Sequence, residues 1–213
     1  MSTGKRARTE EQKQLRRRSI LDSANSLLCD VGYEAFSMSK LGKLAGVAKG
    51  TVYLYFESRE DVMLVLCCEK MDAWGRQLSE VVSYESTEEE FAHCFNDVLS
   101  LDGILPLLSR LDSVIEHNVS LEKLIEAKRN MLRIVSELVE ALAPKLKLSF
   151  AQTYDAVRSL TFLWLGTAQM GAGLKLENAR LPDDVKQFAA DFTSDQTFVT
   201  NACRILRGIR GGH

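Results

Sequence analysis

Apolar residues recur at helical spacing along nearly the whole chain. Ile20, Leu21, Ala24, Leu27, Leu28 and Val31 fall on one helix face, Val62, Leu66, Trp74 and Leu78 on another, and Phe198, Val199, Ala202, Ile205 and Leu206 on a last one. Period-two runs of β-branched residues are absent and there are only three prolines, so the pattern predicts an all-α protein. Capping signals then divide the chain. Thr9 with Gln12 makes a capping box that opens a helix over about residues 10–31, with Gly32 placed for a left-handed C-terminal cap. Ser37 caps a short helix that stops at Gly46, residues 47–54 form another, and Ser58 with Asp61 caps a longer one reaching about residue 81. Two short helices separated by a glycine turn, with a supporting helix on each side, are a helix-turn-helix. Beyond residue 82 come long amphipathic helices: one capped by Thr87 and Glu90, then Pro106–Asn118, Ser120–Ala143 and Ser149–Gly173. Residues 177–184 read as a loop, followed by a short helix and a last one over about 195–208.

Charge sharpens this division. Residues 1–59 hold 11 Lys and Arg against 6 Asp and Glu, whereas the remaining residues hold 16 against 23. A basic module joined to an acidic, apolar body suggests a polyanion binder at the N-terminus. With no low-complexity linker between them, the predicted domains are 1–60, a three-helix helix-turn-helix module with a basic arm, and 61–213, a helical body. Their boundary lies within a shared helix. The longest apolar runs are too short to span a bilayer, and no apolar segment follows the basic N-terminus, so a cytoplasmic protein without a membrane partner is expected. Five cysteines without a C-x-x-C pair argue against a disulfide framework and a structural zinc site.

The stretch "GVAKGTVYLYFESRED", residues 46–61, carries the candidate chemistry. A recognition helix must be small at its N-terminus to approach base edges in a major groove about 12 Å wide. Ala48 and Gly50 allow that approach, Lys49 can reach a guanine edge or a phosphate, and Thr51 offers a hydroxyl. Tyr53 can donate its phenol proton to a phosphate while its ring packs on the preceding helix, and Tyr55 can reach the backbone. Ser37, at a helix N-terminus, and Arg59, at the start of the next helix, are further phosphate candidates. Lys5, Arg6 and Arg8 form the arm.

These residues stand in the segment "ILDSANSLLCDVGYEAFSMSKLGKLAGVAKGTVYLYFESREDVM", which resembles the DNA-binding domain of the tetracycline-repressor (TetR) family of bacterial transcriptional regulators. Ala24, Gly32, Ser37, Ala45-Gly46-Val47, Gly50-Thr51, Tyr53, Tyr55-Phe56 and Ser58-Arg59-Glu60 carry the likeness. Phe36, Gly42 and Arg59 depart from the family's usual threonine, alanine and lysine. Gly42 is expected to cost about 1 kcal/mol of helix propensity and to loosen its helix. The resemblance implies a homodimer that binds a double-stranded DNA operator and a small-molecule effector, dimerising through its last two long helices, and most often a repressor.

The sequence allows that dimer. Gly166, Ala168, Gly171 and Ala172 offer a close-packing surface, and the Phe198–Leu206 stripe can face it or its symmetry mate. Two recognition helices about 34 Å apart would then read a pseudo-palindrome. Candidates for the effector site are Phe95, His117, Met131 and Trp164, from a pool that also holds His93, Cys94, Tyr154 and Gln169. The aromatic, charge-poor mixture favours an apolar or amphipathic molecule. The helix from residue 58 to about 81 joins both modules and is the natural lever, provided the effector binds the two states unequally.

Two rival readings have weaker support. Ser37-x-x-Lys40 and Ser120-x-x-Lys123 imitate a serine–lysine nucleophile, but each serine sits at a predicted helix cap and the glycines of "GTAQMGAG" follow no strand. No enzyme activity, cofactor or metal is expected. A thiol- or metal-responsive regulator using Cys67-Cys68, Cys94 or the histidines is the alternative, although adjacent cysteines on one helix diverge by about 100° and chelate poorly.

Overall fold

The computed structural model describes residues 3–101, 103–173, 182–193 and 195–211, and every regular element among them is helical. Two compact units emerge, Met1–Cys68 with Arg110–Ala127, and Glu69–Ser109 with Lys128–His213. The first unit therefore extends past the expected limit at residue 60 and takes in a distant segment.

In the first unit, α1 (Thr3–Ala35) packs on α2 (Met38–Leu44), and α2 on α3 (Lys49–Tyr53). Ile20, Leu21 and Ala24, on the face that the 3.6-residue period selected, are buried almost completely, as are Leu41, Val52 and Phe56. The first part of α4 (Arg59–Val81), up to Cys68, belongs to the same unit, with Val62 and Met63 buried. Its start carries the anticipated reciprocal cap: Asp61 N–H donates to Ser58 Oγ at 3.0 Å and Glu57 N–H to Asp61 Oδ2 at 2.9 Å. Two expectations need correction. Helix α1 does not begin at the Thr9–Gln12 box but runs back to Thr3, because the segment has no proline and Lys5, Arg6, Ala7 and Arg8 are good helix formers. Backbone that was expected to form the arm is thus helical, while the side chains of Lys5, Arg6 and Arg8 lie outside the described residues. At Gly32 (φ 73°, ψ 174°) the helix kinks, then resumes to Ala35.

The segment Pro106–Asn118 is also not one helix. It divides into α6 (Leu105–Arg110), a π-helical turn Leu111–Ile115 and a 3₁₀ turn Glu116–Asn118. Arg110 leaves the ideal helical series (φ −113°) where its guanidinium donates to Glu34 at 2.9 and 3.1 Å, and Asn118 Nδ2 donates to Val114 O at 2.7 Å. Lys123, on α7 (Leu121–Leu146), donates to the buried Asp61 carboxylate within the same unit.

In the second unit, α10 (Asp195–Gly211) packs on α5 (Glu88–Leu101) and α8 (Phe150–Gly173), with α9 (Asp183–Thr193) beside them. Phe95 is the centre of an aromatic cluster, edge-on to Trp74 at 5.4 Å and to Phe91 at 6.0 Å and stacked on Phe198 at 6.3 Å. Burying such a ring contributes about 2–3 kcal/mol. The Phe198–Leu206 stripe turns into this core of its own chain. Capping boxes fix two helix starts. Thr87 N–H donates to Glu90 Oε2 at 2.8 Å and Glu90 N–H to Thr87 Oγ1 at 3.2 Å, and Ser149 pairs with Gln152 in the same way. Residues 177–181 of the expected loop, and the burial of Gly171 and Ala172, lie outside what the structure describes. Gly166 faces open space, whereas Ala168 packs on the core, so these two small residues do not share one face.

Candidate nucleic-acid interface and effector cavity

The turn into α3 is set by two glycines. Gly46 adopts φ 65°, and Val47 N–H donates to Gly42 O at 2.9 Å. A Cβ on Gly42 would lie 3.0 Å from Val47 O and 3.4 Å from Lys49 N. Gly42 therefore brings the turn and the start of α3 close against α2, which corrects the expectation of a loosened helix. Ser37 is extended (φ −148°, ψ 152°), and its Oγ accepts from Lys40 N–H at 3.3 Å, the predicted cap. Lys40 Nζ donates to Ala35 O at 2.8 Å, so this serine and lysine serve the backbone.

On α3, Val52 is fully buried and anchors the helix, leaving Lys49, Gly50 and Tyr53 exposed and Thr51 half-buried. Ala48 precedes them in extended conformation without a side-chain cap. Lys49 Nζ lies 5.7 Å from the centre of the Tyr53 ring, so a cation and a phenol share one small surface. Tyr53 is 44% exposed. Tyr55 turns instead toward the basic half of α1 and, with Gln12, Lys13, Leu15, Arg16 and Ser19, lines a groove of about 550 Å³. Lys13 and Arg16 were legible as basic residues, but only the fold places them beside Tyr55.

Arg59 is not brought into this set. Its guanidinium donates to Glu60 at 2.8 Å and lies 4.7 Å from the Tyr33 ring, over which Arg110 also lies at 4.9 Å. Burial pushes the Tyr33 phenol's pKa up against the pull of the two arginines, and its hydroxyl finds no partner among the described residues.

The second unit holds an apolar cavity of about 160 Å³. Met71 and Trp74 of α4 form one wall, Leu99, Ile104, Leu108 and Val135 others, and Tyr154, Val157, Arg158, Thr161 and Phe162 of α8 the last. The four expected effector residues are not brought together there. Phe95 and Trp164 are core, Met131 is buried outside the lining, and His117 is exposed in the first unit. The missed signal was α8 itself, where Tyr154, Val157, Arg158, Thr161 and Phe162 recur at helical spacing.

The thiol and metal alternative gains nothing from the geometry. Cys67, Cys68 and Cys203 are buried, Cys94 is half-buried, and burial raises the pKa of both the Cys94 and the Cys203 thiol, away from the reactive thiolate. No group of three or more His, Cys, Asp or Glu that could hold a metal ion occurs among the described residues. Lys123, of the second Ser-x-x-Lys, is engaged with Asp61 and Glu57. No described helix is long and apolar enough to cross a membrane.

Comparison with known proteins agrees with a helix-turn-helix followed by a helical body. Residues 20–66 match the family of bacterial regulatory proteins, tetR family, and residues 69–209 match the tetracyclin repressor-like C-terminal domain. The chain belongs to the TetR family of transcriptional regulators. It is 29% identical over 132 residues to the fatty acid metabolism regulator protein of Bacillus subtilis (strain 168), covering 62% of this chain and 63% of that protein. The alignment thus spans less than two thirds of that relative's length. Among solved structures, a regulator of Streptomyces coelicolor A3(2), described as a possible member of the family, superposes with a TM-score of 0.59 at 18% identity, covering 92% of this chain and all of that one. The multidrug binding protein EbrR complexed with imidazole gives 0.55 at 15% identity, over 89% and 94% of the two chains. Both likenesses concern the fold.

Proposed function

We propose that the chain is a homodimeric repressor that reads a pseudo-palindromic operator through α3 and is released by an apolar or amphipathic effector held in the cavity of the second unit. The observation that carries the reading is the exposed Lys49–Tyr53 surface on a helix anchored by a fully buried Val52. Ala48, Gly50 and Thr51 let that helix approach base edges, Lys49 and Tyr53 contact bases or phosphate, and Ser37 and Tyr55 flank them on the backbone. Lys13 and Arg16 beside Tyr55 extend the basic surface, whereas Arg59 acts indirectly by ordering the start of α4.

The relative's printed role in fatty acid metabolism and the apolar lining of the cavity both favour an effector with a hydrocarbon portion. Met71 and Trp74 place the cavity on α4, whose first residues, up to Cys68, belong to the DNA-binding unit. An effector that binds one position of α4 better than another shifts the DNA-binding population by that difference. Going from 99:1 to 1:99 takes about 5.5 kcal/mol.

The test is a fluorescence-anisotropy titration on DNA from around the protein's own coding region at two salt concentrations. Specific binding that weakens with salt and drops at least about tenfold in Lys49→Ala/Tyr53→Ala is expected. Equal binding by both proteins to the same operator would overturn the assignment of α3.

A further inference from the structure

We infer that the effector cavity selects an anionic amphiphile, a hydrocarbon group with a carboxylate or phosphate head, through Arg158 at its wall and the indole N–H of Trp74. This rests on the cavity being the effector site. Two observations point to a polar ligand group within apolar walls. Trp74 is 4% exposed, lines the cavity, and its Nε1 is buried without a hydrogen-bond partner among the described residues. A buried donor left unpaired carries a desolvation cost that a ligand oxygen in hydrogen-bond reach offsets. Arg158 also lines the cavity and brings a full positive charge to it. Its guanidinium lies 5.9 Å from the Tyr154 ring and donates to Asp155 Oδ1 at 2.7 Å.

The Asp155 pair sharpens the argument. With side chains 54% and 50% exposed it is a surface ion pair held weakly in water. An incoming anion competes with Asp155 for the guanidinium of this lining residue. Arg158 thus has a resting partner that a ligand head can replace, so ligand anion and Asp155 oppose one another. The cavity's volume, about 160 Å³, is close to that of a cavity that takes up benzene, so it accommodates roughly six carbons and leaves the head at the wall.

The probes are octanoate, octyl phosphate and octanol, titrated calorimetrically into the full chain. A purely apolar cavity selects octanol, because the anionic heads are costly to desolvate. The inference expects the reverse: an octanoate affinity about fivefold above that of octanol in the wild type, octanol preferred in Arg158→Gln, and octanoate binding about threefold tighter in Asp155→Asn. Trp74→Phe is expected to weaken octanoate about threefold. In a Trp164→Phe background Trp74 is the sole tryptophan, and its emission should change on octanoate binding. Octyl phosphate binding more tightly than octanoate keeps the anionic chemistry and makes phosphate the head. Octanol bound as well as octanoate, with Trp74 emission responding, overturns the anionic selection while leaving the cavity as the effector site. No binding by any of the three, with Trp74 emission unchanged, overturns both.

Discussion

The buried carboxylate of Asp61 shows how one residue ties distant parts of the first unit together. The residue is only 5% exposed, and its carboxylate accepts from Glu57 N–H and from Lys123 Nζ, while its own N–H is capped by Ser58. Removing the ammonium leaves a desolvated charge with a single backbone donor. Lys123→Met is therefore expected to destabilise the first unit by about 1–3 kcal/mol, measured as faster native-state hydrogen exchange in α2, α3 and the start of α4; unchanged protection would show that the pair contributes nothing. Desolvation pulls the Lys123 pKa down, but the bonds to Asp61 and Glu57 outweigh it and hold the folded value above the ordinary one. The contribution is therefore complete below the unfolded lysine value of about 10.4 and is lost as pH rises through the raised folded value. The cap from Ser58 to Asp61 was legible because it is local in sequence. Lys123 was not, since no periodicity relates residues 62 apart.

At the scale of the element, the helix starts at Ser37, Ser58, Thr87 and Ser149 follow from side chains that satisfy amides a residue or a turn away, and the sequence holds all that this chemistry needs. The errors fall where no such closed local rule exists. Thr9 and Gln12 form a valid box that a longer helix ignores, and the run from Pro106 to Asn118 breaks where Arg110 engages Glu34, a contact 76 residues away in the chain. The same holds for the apolar rings: Phe95 and Trp164 have the composition of a pocket but lie in the core, because whether such a ring fills a core or walls a cavity depends on the opposing helix. Gly32 separates the two parts of α1 with a backbone conformation, φ 73° and ψ 174°, that L side chains rarely adopt. A Cβ there meets no neighbour within 4 Å among the described residues, so the penalty is conformational. Gly32→Ala should cost about 1–3 kcal/mol, visible as a lowered urea midpoint by circular dichroism with an unchanged slope. An unaltered midpoint would mean that the kink relaxes without strain.

For the whole molecule, the proposed reading of DNA by a pair of chains makes geometry testable. One face of α8 presents Phe162 and Met170, 68% and 49% exposed, with Gly166 between them facing open space. Apolar residues at i, i+4 and i+8 around a glycine suit close approach of a second copy. Among the described residues nothing lies within 4 Å of a Cβ at Gly166, so Gly166→Glu should leave the helical content intact while shifting sedimentation from dimer to monomer. A monomer engages a single half-site and forfeits the gain from simultaneous engagement, so operator affinity should fall by at least about a hundredfold. The DNA offers the reciprocal experiment. Half-sites centred about 34 Å apart face the same side of the duplex, and inserting about five base pairs rotates one of them half a turn away. That insertion should weaken the wild type to the affinity of Gly166→Glu and leave the variant itself unaffected. If instead the variant remains dimeric and the insertion costs the wild type nothing, both the α8 interface and the paired readout fail together. A dimeric variant with a spacing-sensitive wild type would overturn only the choice of helix face.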